Sequence, residues 1–161
     1  MGRKAFSLAE ILIVLSIVAI LAAIAIPQLH KYRDFYAYQE YASSLELTVR
    51  QAKILAMERT TNIGVCVRNA YSVRVVDMGV RRNADICSET TISALNIKDA
   101  DRDNTRFVGS GLSIDPRGFA IQSGGVCVQN TRLNSHLLVC VSRFGSIKTQ
   151  RGSGPCPNSC S

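Results

Sequence analysis

Between Ile11 and Ile26 the chain carries no charged residue, and from Phe6 to Ile26 it carries one, Glu10. As a helix, Phe6 to Ile26 spans ~31 Å at ~1.5 Å per residue, close to the hydrocarbon thickness of a bilayer. The block can therefore cross a membrane. Met1 to Lys4 is short and basic, so this end is expected on the cytoplasmic side and the carboxy-terminal bulk on the other. With 161 residues in all, roughly 135 remain from Pro27 onward, enough for one soluble core and too few for separate cofactor and substrate lobes. The overall 47% apolar and 19% charged composition excludes a disordered or collagen-like chain, but it averages two unlike halves.

A secretory signal peptide is the competing reading of the block, because Ala23-Ile24-Ala25 before Ile26-Pro27 satisfies the loose small-x-small pattern. Glu10 speaks against it. A carboxylate at a bilayer's centre costs on the order of 2–3 kcal/mol on insertion, less near the edge, and intramembrane ionisable groups usually have a task. An amine freed by cutting before Phe6 would supply a cation in the same layer, and such a pair would fix the axial register of helices packed side by side. The run Arg3-Lys4-Ala5-Phe6-Ser7-Leu8-Ala9-Glu10, followed by the apolar block and Pro27, resembles the class III signal of type IV prepilins and type II secretion pseudopilins. That resemblance implies cleavage between Ala5 and Phe6 by a membrane-embedded prepilin peptidase, N-methylation of Phe6, and Glu10 as fifth mature residue. Ala5 stands where the family most often has glycine, so a small side chain is kept at the cut.

Pro27 removes a backbone donor and is expected to kink the helix or melt it locally. Beyond it Tyr38, Ala42, Leu45, Val49, Ala52 and Ala56 recur at steps of three and four, with Glu40, Glu46, Arg50, Lys53 and Glu58 elsewhere. The spacing predicts one helix from about Leu8 to Met57. Its first half is apolar all round and needs lipid or other helices, while its second half is one-sided and needs a sheet. Three heptads are too few for a coiled coil. The period then changes to two: Ile63, Val65 and Val67 alternate, as do Tyr71, Val73 and Val75 beyond a turn at Arg68-Asn69-Ala70, which predicts a hairpin. Residues 80–106 read as a long excursion tethered by Cys87. Short strands are expected at Leu112–Ile114, Phe119–Ile121, Val126–Gln129, Leu137–Val141 and Ser146–Lys148.

Leu47 to Arg59 leading into Val65-Cys66-Val67, with Asp115-Pro116-Arg117-Gly118 and Val141 to Lys148, is similar to the GspH/FimT group of minor pseudopilins and minor pilins. The resemblance implies an α+β, type IV pilin-like fold: a long amino-terminal helix packed on antiparallel β-sheets. The expected organisation is a leader over 1–5, a transmembrane and filament-core helix over 6–30, and a globular head over 31–161.

All six cysteines, Cys66, Cys87, Cys127, Cys140, Cys156 and Cys160, follow the block, as expected for a chain reaching an oxidising compartment. Six allow 15 pairings. Folding Val126 to Val141 about Leu133-Asn134 sets Cys127 opposite Cys140; Cys156 and Cys160 then close on each other or staple their loop to the body, and Cys66 and Cys87 remain. A zinc site is the alternative, but the chain has no C-x2-C pair, and no metal site is expected. Asp99, Asp101, Asp103 and Asn104 have the spacing of a calcium loop without its glycine and closing glutamate, which favours a solvated loop. His30 reads as an interfacial surface residue and His136 as hydrogen-bonded at a strand start.

No nucleophile elbow, Walker motif, metalloprotease helix or dinucleotide fingerprint is present, so neither catalysis nor a cofactor is expected. The 19 Lys and Arg outweigh 12 Asp and Glu, with the excess late in the chain. The function that the two resemblances imply is a structural one, a minor pseudopilin or minor pilin of a type II secretion pseudopilus or type IV pilus. It would be anchored in the bacterial inner membrane with its head periplasmic or extracellular before assembly, and Glu10 and Pro27 would be its assembly residues. Other pilins, prepilin peptidase and an inner-membrane assembly platform would be its partners. The alternative that the resemblance to FimT-like proteins implies is a DNA-binding minor pilin in DNA uptake, with a basic carboxy-terminal patch of Arg143, Lys148 and Arg151 contacting phosphates.

Overall fold

The structure is a computed structural model that describes residues 8–82, 86–157 and 160, with only the backbone of Ile86. One helix, α1 (Leu8–Arg59), is followed among the described residues by β1 (Asn62–Asn69), β2 (Ser72–Gly79), β3 (Thr90–Asn96), β4 (Thr105–Gly109), β5 (Leu112–Ile114), β6 (Ala120–Gln122), β7 (Gly124–Asn130), β8 (Ser135–Val141) and β9 (Ile147–Ser153). The chain divides into two units, one ending at Tyr36 and one from Ala37 to Ser161.

In the first unit the helix passes Pro27 without interruption. The local melting expected there does not occur, because a proline removes one backbone bond while the turns on either side keep theirs. The serine at position 16 returns its hydroxyl to the Ile13 carbonyl at 2.7 Å, so this polar group is satisfied within the helix.

In the second unit α1 turns one-sided. Tyr38, Tyr41, Ala42, Leu45, Val49, Ala52 and Ala56 are its buried residues, the predicted stripe with Tyr41 added. They share one core with Ile63, Val65, Val73, Val75, Leu112 and Ile114 of one sheet and Val126, Val128, Leu137, Val139 and Val141 of the other. The helix ends where Thr60 takes a positive φ of 54°, a conformation that stops the i to i−4 ladder. Arg59 closes the last turn, where the carbonyl end of the helix favours a cation.

The sheets run β3-β2-β1-β5-β6 and β4-β7-β8-β9, with every pair antiparallel. On the outer side of the first sheet Cys66, Val76 and Met78 form a small second cluster with Cys87 packed on it. The disulfide Cys66–Cys87 holds that segment in place. Residues 80–106 are thus no plain excursion, since they contain β3 and the start of β4. β3 escapes a period-two reading because it bulges: Ser93 pairs with Val75 and Thr91 with Val76, which leaves Ile92 as the extra residue. Ile92 and Leu95 can then both pack on the core although they are three apart.

Tyr41 pins the segment after β3 to the helix. Its hydroxyl donates to Asp101 Oδ2 at 2.9 Å and accepts the Lys98 N–H at 3.0 Å. Burial pushes the Tyr41 hydroxyl above the usual phenolic range, against the Lys98 N–H and with the help of the Asp101 charge. Asp99 pairs instead with Arg102.

The expected pairing of Cys127 with Cys140 is wrong. The β7–β8 turn occupies Thr131 to Asn134, so Cys127 faces Leu138 and Cys140 faces Gly125. The register moves by two residues because the Asn130 side chain accepts the Leu133 N–H at 2.9 Å and Asn134 takes φ 49°, which together close a four-residue turn. The bridges formed are Cys127–Cys156 and Cys140–Cys160. Cys156 and Cys160 do not close on each other; both staple the carboxy-terminal tail across the second sheet.

Candidate functional site

From Leu8 to Leu29 every large apolar side chain is at least 49% exposed. This is the one described helix long and apolar enough to cross a membrane. Helices of this kind are stable only when lipid or other helices surround them. Glu10 lies exposed in the first described turn, near the positive end of the helix dipole. Ala5 and Phe6 lie outside the described residues. His30 is exposed on the same helix.

The three segments that carry the GspH/FimT resemblance meet at one place in the second unit. Lys53 Nζ donates to the Gly145 carbonyl at 2.8 Å and so ties the helix to the β8–β9 turn. Asp115 Oδ1 accepts the Arg117 and Phe119 N–H groups, each at 2.9 Å, and shapes the β5–β6 turn. The two turns touch: the Ala120 N–H donates to the Arg143 carbonyl, and a Cβ added at Gly145, which has φ +71°, would collide with the Gly118 carbonyl. In the sequence Lys53 stands out only as a charged position off the apolar stripe. Nothing local marks its long-range role, since its partner is 92 residues away.

The structure does not bring the three candidate DNA-binding residues together. Arg143 and Lys148 border a hollow of about 740 Å³ on the outer side of the second sheet, beside Leu138, Cys140 and Cys160. Arg151 stands three residues from Lys148 on β9 and therefore points to the opposite face. There its charge acts on the Tyr38 hydroxyl, which burial raises and Arg151 partly lowers. His136 is buried, with Nδ1 3.2 Å from the Gly154 carbonyl, as expected of a hydrogen-bonded strand residue. All six cysteines are in disulfides, and among the described residues no three His, Cys, Asp or Glu side chains gather as a metal centre.

Residues 1–26 match the family described as the prokaryotic N-terminal methylation motif. No curated protein matches the chain. Among solved structures, the type IV minor pilin FimU of Pseudomonas aeruginosa is similar in two crystal forms. One matches at TM-score 0.56 and 13% identity, covering 81% of this chain and 99% of that one; the other matches at 0.52 and 13%, covering 76% and 99%. The minor pseudopilin EpsH of the type 2 secretion system of Vibrio cholerae matches at 0.51 and 9% identity, over 70% of this chain and 94% of that one. The chain thus opens with the prepilin-type methylation motif and has the type IV pilin-like fold, a long helix on antiparallel sheets.

Proposed function

We propose that this chain is a minor pilin or minor pseudopilin, a structural subunit that joins a filament through its amino-terminal helix. One observation carries the reading: a helix apolar and exposed on all sides from Leu8 to Leu29 continues as the one-sided helix that completes the core of Ala37–Ser161. Such a helix has two stable surroundings, a bilayer before assembly and neighbouring helices after it. Prepilin peptidase would cut between Ala5 and Phe6 and methylate the new amine. The leader would be cytoplasmic and the head periplasmic or extracellular, where the three disulfides persist.

Glu10 would then neutralise the Phe6 amine of a neighbouring subunit in a layer that excludes water, so that only one axial register leaves no charge unpaired. The chain's role is structural, and the chemistry is done to it at Phe6.

Substitution at Glu10 tests this. Glu10→Ala and Glu10→Gln should each lower incorporation into sheared filaments at least tenfold, with Glu10→Asp retaining part of it. The unfolding transition of the head should not move, because Glu10 lies outside its core. Wild-type incorporation of Glu10→Ala would refute the assembly role.

A further inference from the structure

Among the described residues, the second sheet ends on β9 with no strand paired to its outer side. β9 pairs with β8 from Ser135–Ser153 to Val141–Ile147 without a register shift. The flanking bonds Gly154 N–H to the Asn134 carbonyl at 2.9 Å and Ser142 N–H to the Ser146 carbonyl at 3.0 Å set the phase of the ladder. Bonded and non-bonded pairs alternate in an antiparallel ladder. Lys148, Gln150 and Gly152 therefore turn their N–H and C=O groups to β8, and Ile147, Thr149, Arg151 and Ser153 turn theirs to the free side. Every side chain from Lys148 to Ser153 is exposed.

The other described sheet edges are blunted. β3 carries its bulge at Ile92, β6 has three residues, and on β4 the Phe107 N–H is taken by the Ala70 carbonyl at 2.7 Å. β9 has seven residues with neither a bulge nor a proline, the form of edge that folded proteins ordinarily protect. Its charge is one-signed. From Pro116 to Ser161 the sequence contains no Asp or Glu, while Arg117, Arg132, Arg143, Lys148 and Arg151 all fall in that stretch. Cations on an edge disfavour pairing with a second copy, whose β9 would bring the same cations, and favour a strand that carries carboxylates.

We propose that β9 is a strand-addition site for an extended, carboxylate-bearing segment of another protein. The main-chain groups of Thr149, Arg151 and Ser153 would supply affinity. Lys148 on the outer face, next to the hollow that Arg143 also borders, and Arg151 on the inner face would select carboxylates on both sides of the added strand. The proposal does not rest on the filament reading, because the edge and its charge exist in the isolated subunit.

The full chain in detergent micelles tests it, with the nine-residue peptide EEVVEEVVE, whose paired residues set glutamates on both faces of an added strand, as probe and its lysine–valine counterpart as control. Residue-resolved amide exchange should show Gln150 slow from the start, and Thr149, Arg151 and Ser153 slowing at least tenfold only on adding the glutamate peptide. Thr149→Pro deletes an outward N–H and leaves the β8 ladder intact, so it should weaken binding at least tenfold at an unchanged unfolding midpoint. Arg151→Glu should weaken it as well and keeps the proposal testable if the proline variant misfolds. Equal protection by the lysine peptide or by a DNA duplex, protection by self-association without peptide, or no protection at all would overturn the proposal. The Glu10 substitutions are read in filaments and this assay in single subunits, so either reading can fail alone.

Discussion

Leu45→Ala should destabilise the second unit by about 2–5 kcal/mol, a large part of the roughly 5–15 kcal/mol that holds a small domain folded. Leu45 is fully buried where α1 meets the inward faces of both sheets, with Val49 one turn further along the same face. Truncation removes its transfer free energy and leaves a cavity between rigid elements that cannot close over it. Leu47, two residues away on the same helix, is exposed, so Leu47→Ala should change stability by no more than about 0.5 kcal/mol. Denaturant unfolding of the full chain in detergent, followed by circular dichroism, compares the two. Equal midpoints for the two variants would mean that the helix does not lie on the sheets by the Leu45 face.

The second large effect concerns the stapled tail. Cys127–Cys156 closes a loop with a sequence separation of 29 and Cys140–Cys160 one of 20. Each bridge should contribute about 2–4 kcal/mol, chiefly by restricting the unfolded chain. Paired replacement by serine, first Cys127 with Cys156 and then Cys140 with Cys160, should lower the unfolding free energy by that amount at each step. The tail also packs where it is tied: a Cβ at Gly125 would come within 2.7 Å of Cys160 Sγ and 3.0 Å of Leu138 Cδ1. Peptide mapping without reduction should recover Cys127 with Cys156 and Cys140 with Cys160. A Cys127–Cys140 peptide would show that the β7–β8 register is two residues away from the one described here.

Why that register escaped the sequence is instructive. Val126 to Val141 can close as a hairpin about more than one centre, and spacing alone does not choose between Leu133-Asn134 and the turn over Thr131 to Asn134. The true turn depends on the Asn130 side chain capping the Leu133 N–H, a contact that exists only once the chain has turned. The helix was legible because its signal is periodic and local: Tyr38, Ala42, Leu45, Val49, Ala52 and Ala56 announce one face by spacing alone. β3 was not, because its bulge at Ile92 breaks the alternation on which strand reading rests. The Lys53 clasp was invisible for another reason. It joins positions 92 apart, and a lysine on an amphipathic helix looks the same whether it ends in water or on a carbonyl. The β9 edge falls between these cases: its cations and the missing carboxylates are plain in the sequence, but its unpaired side needs the strand order.

At the amino terminus the signal is one of residue identities, which match the N-terminal methylation motif over residues 1–26, and not of periodicity. The most direct test of the account is therefore the mass and sequence of the mature amino terminus of protein purified from its native membrane. The account predicts a chain that begins at Phe6 with a methyl group on its amine, and a mature start at Ile26 or an uncut Met1 would contradict it.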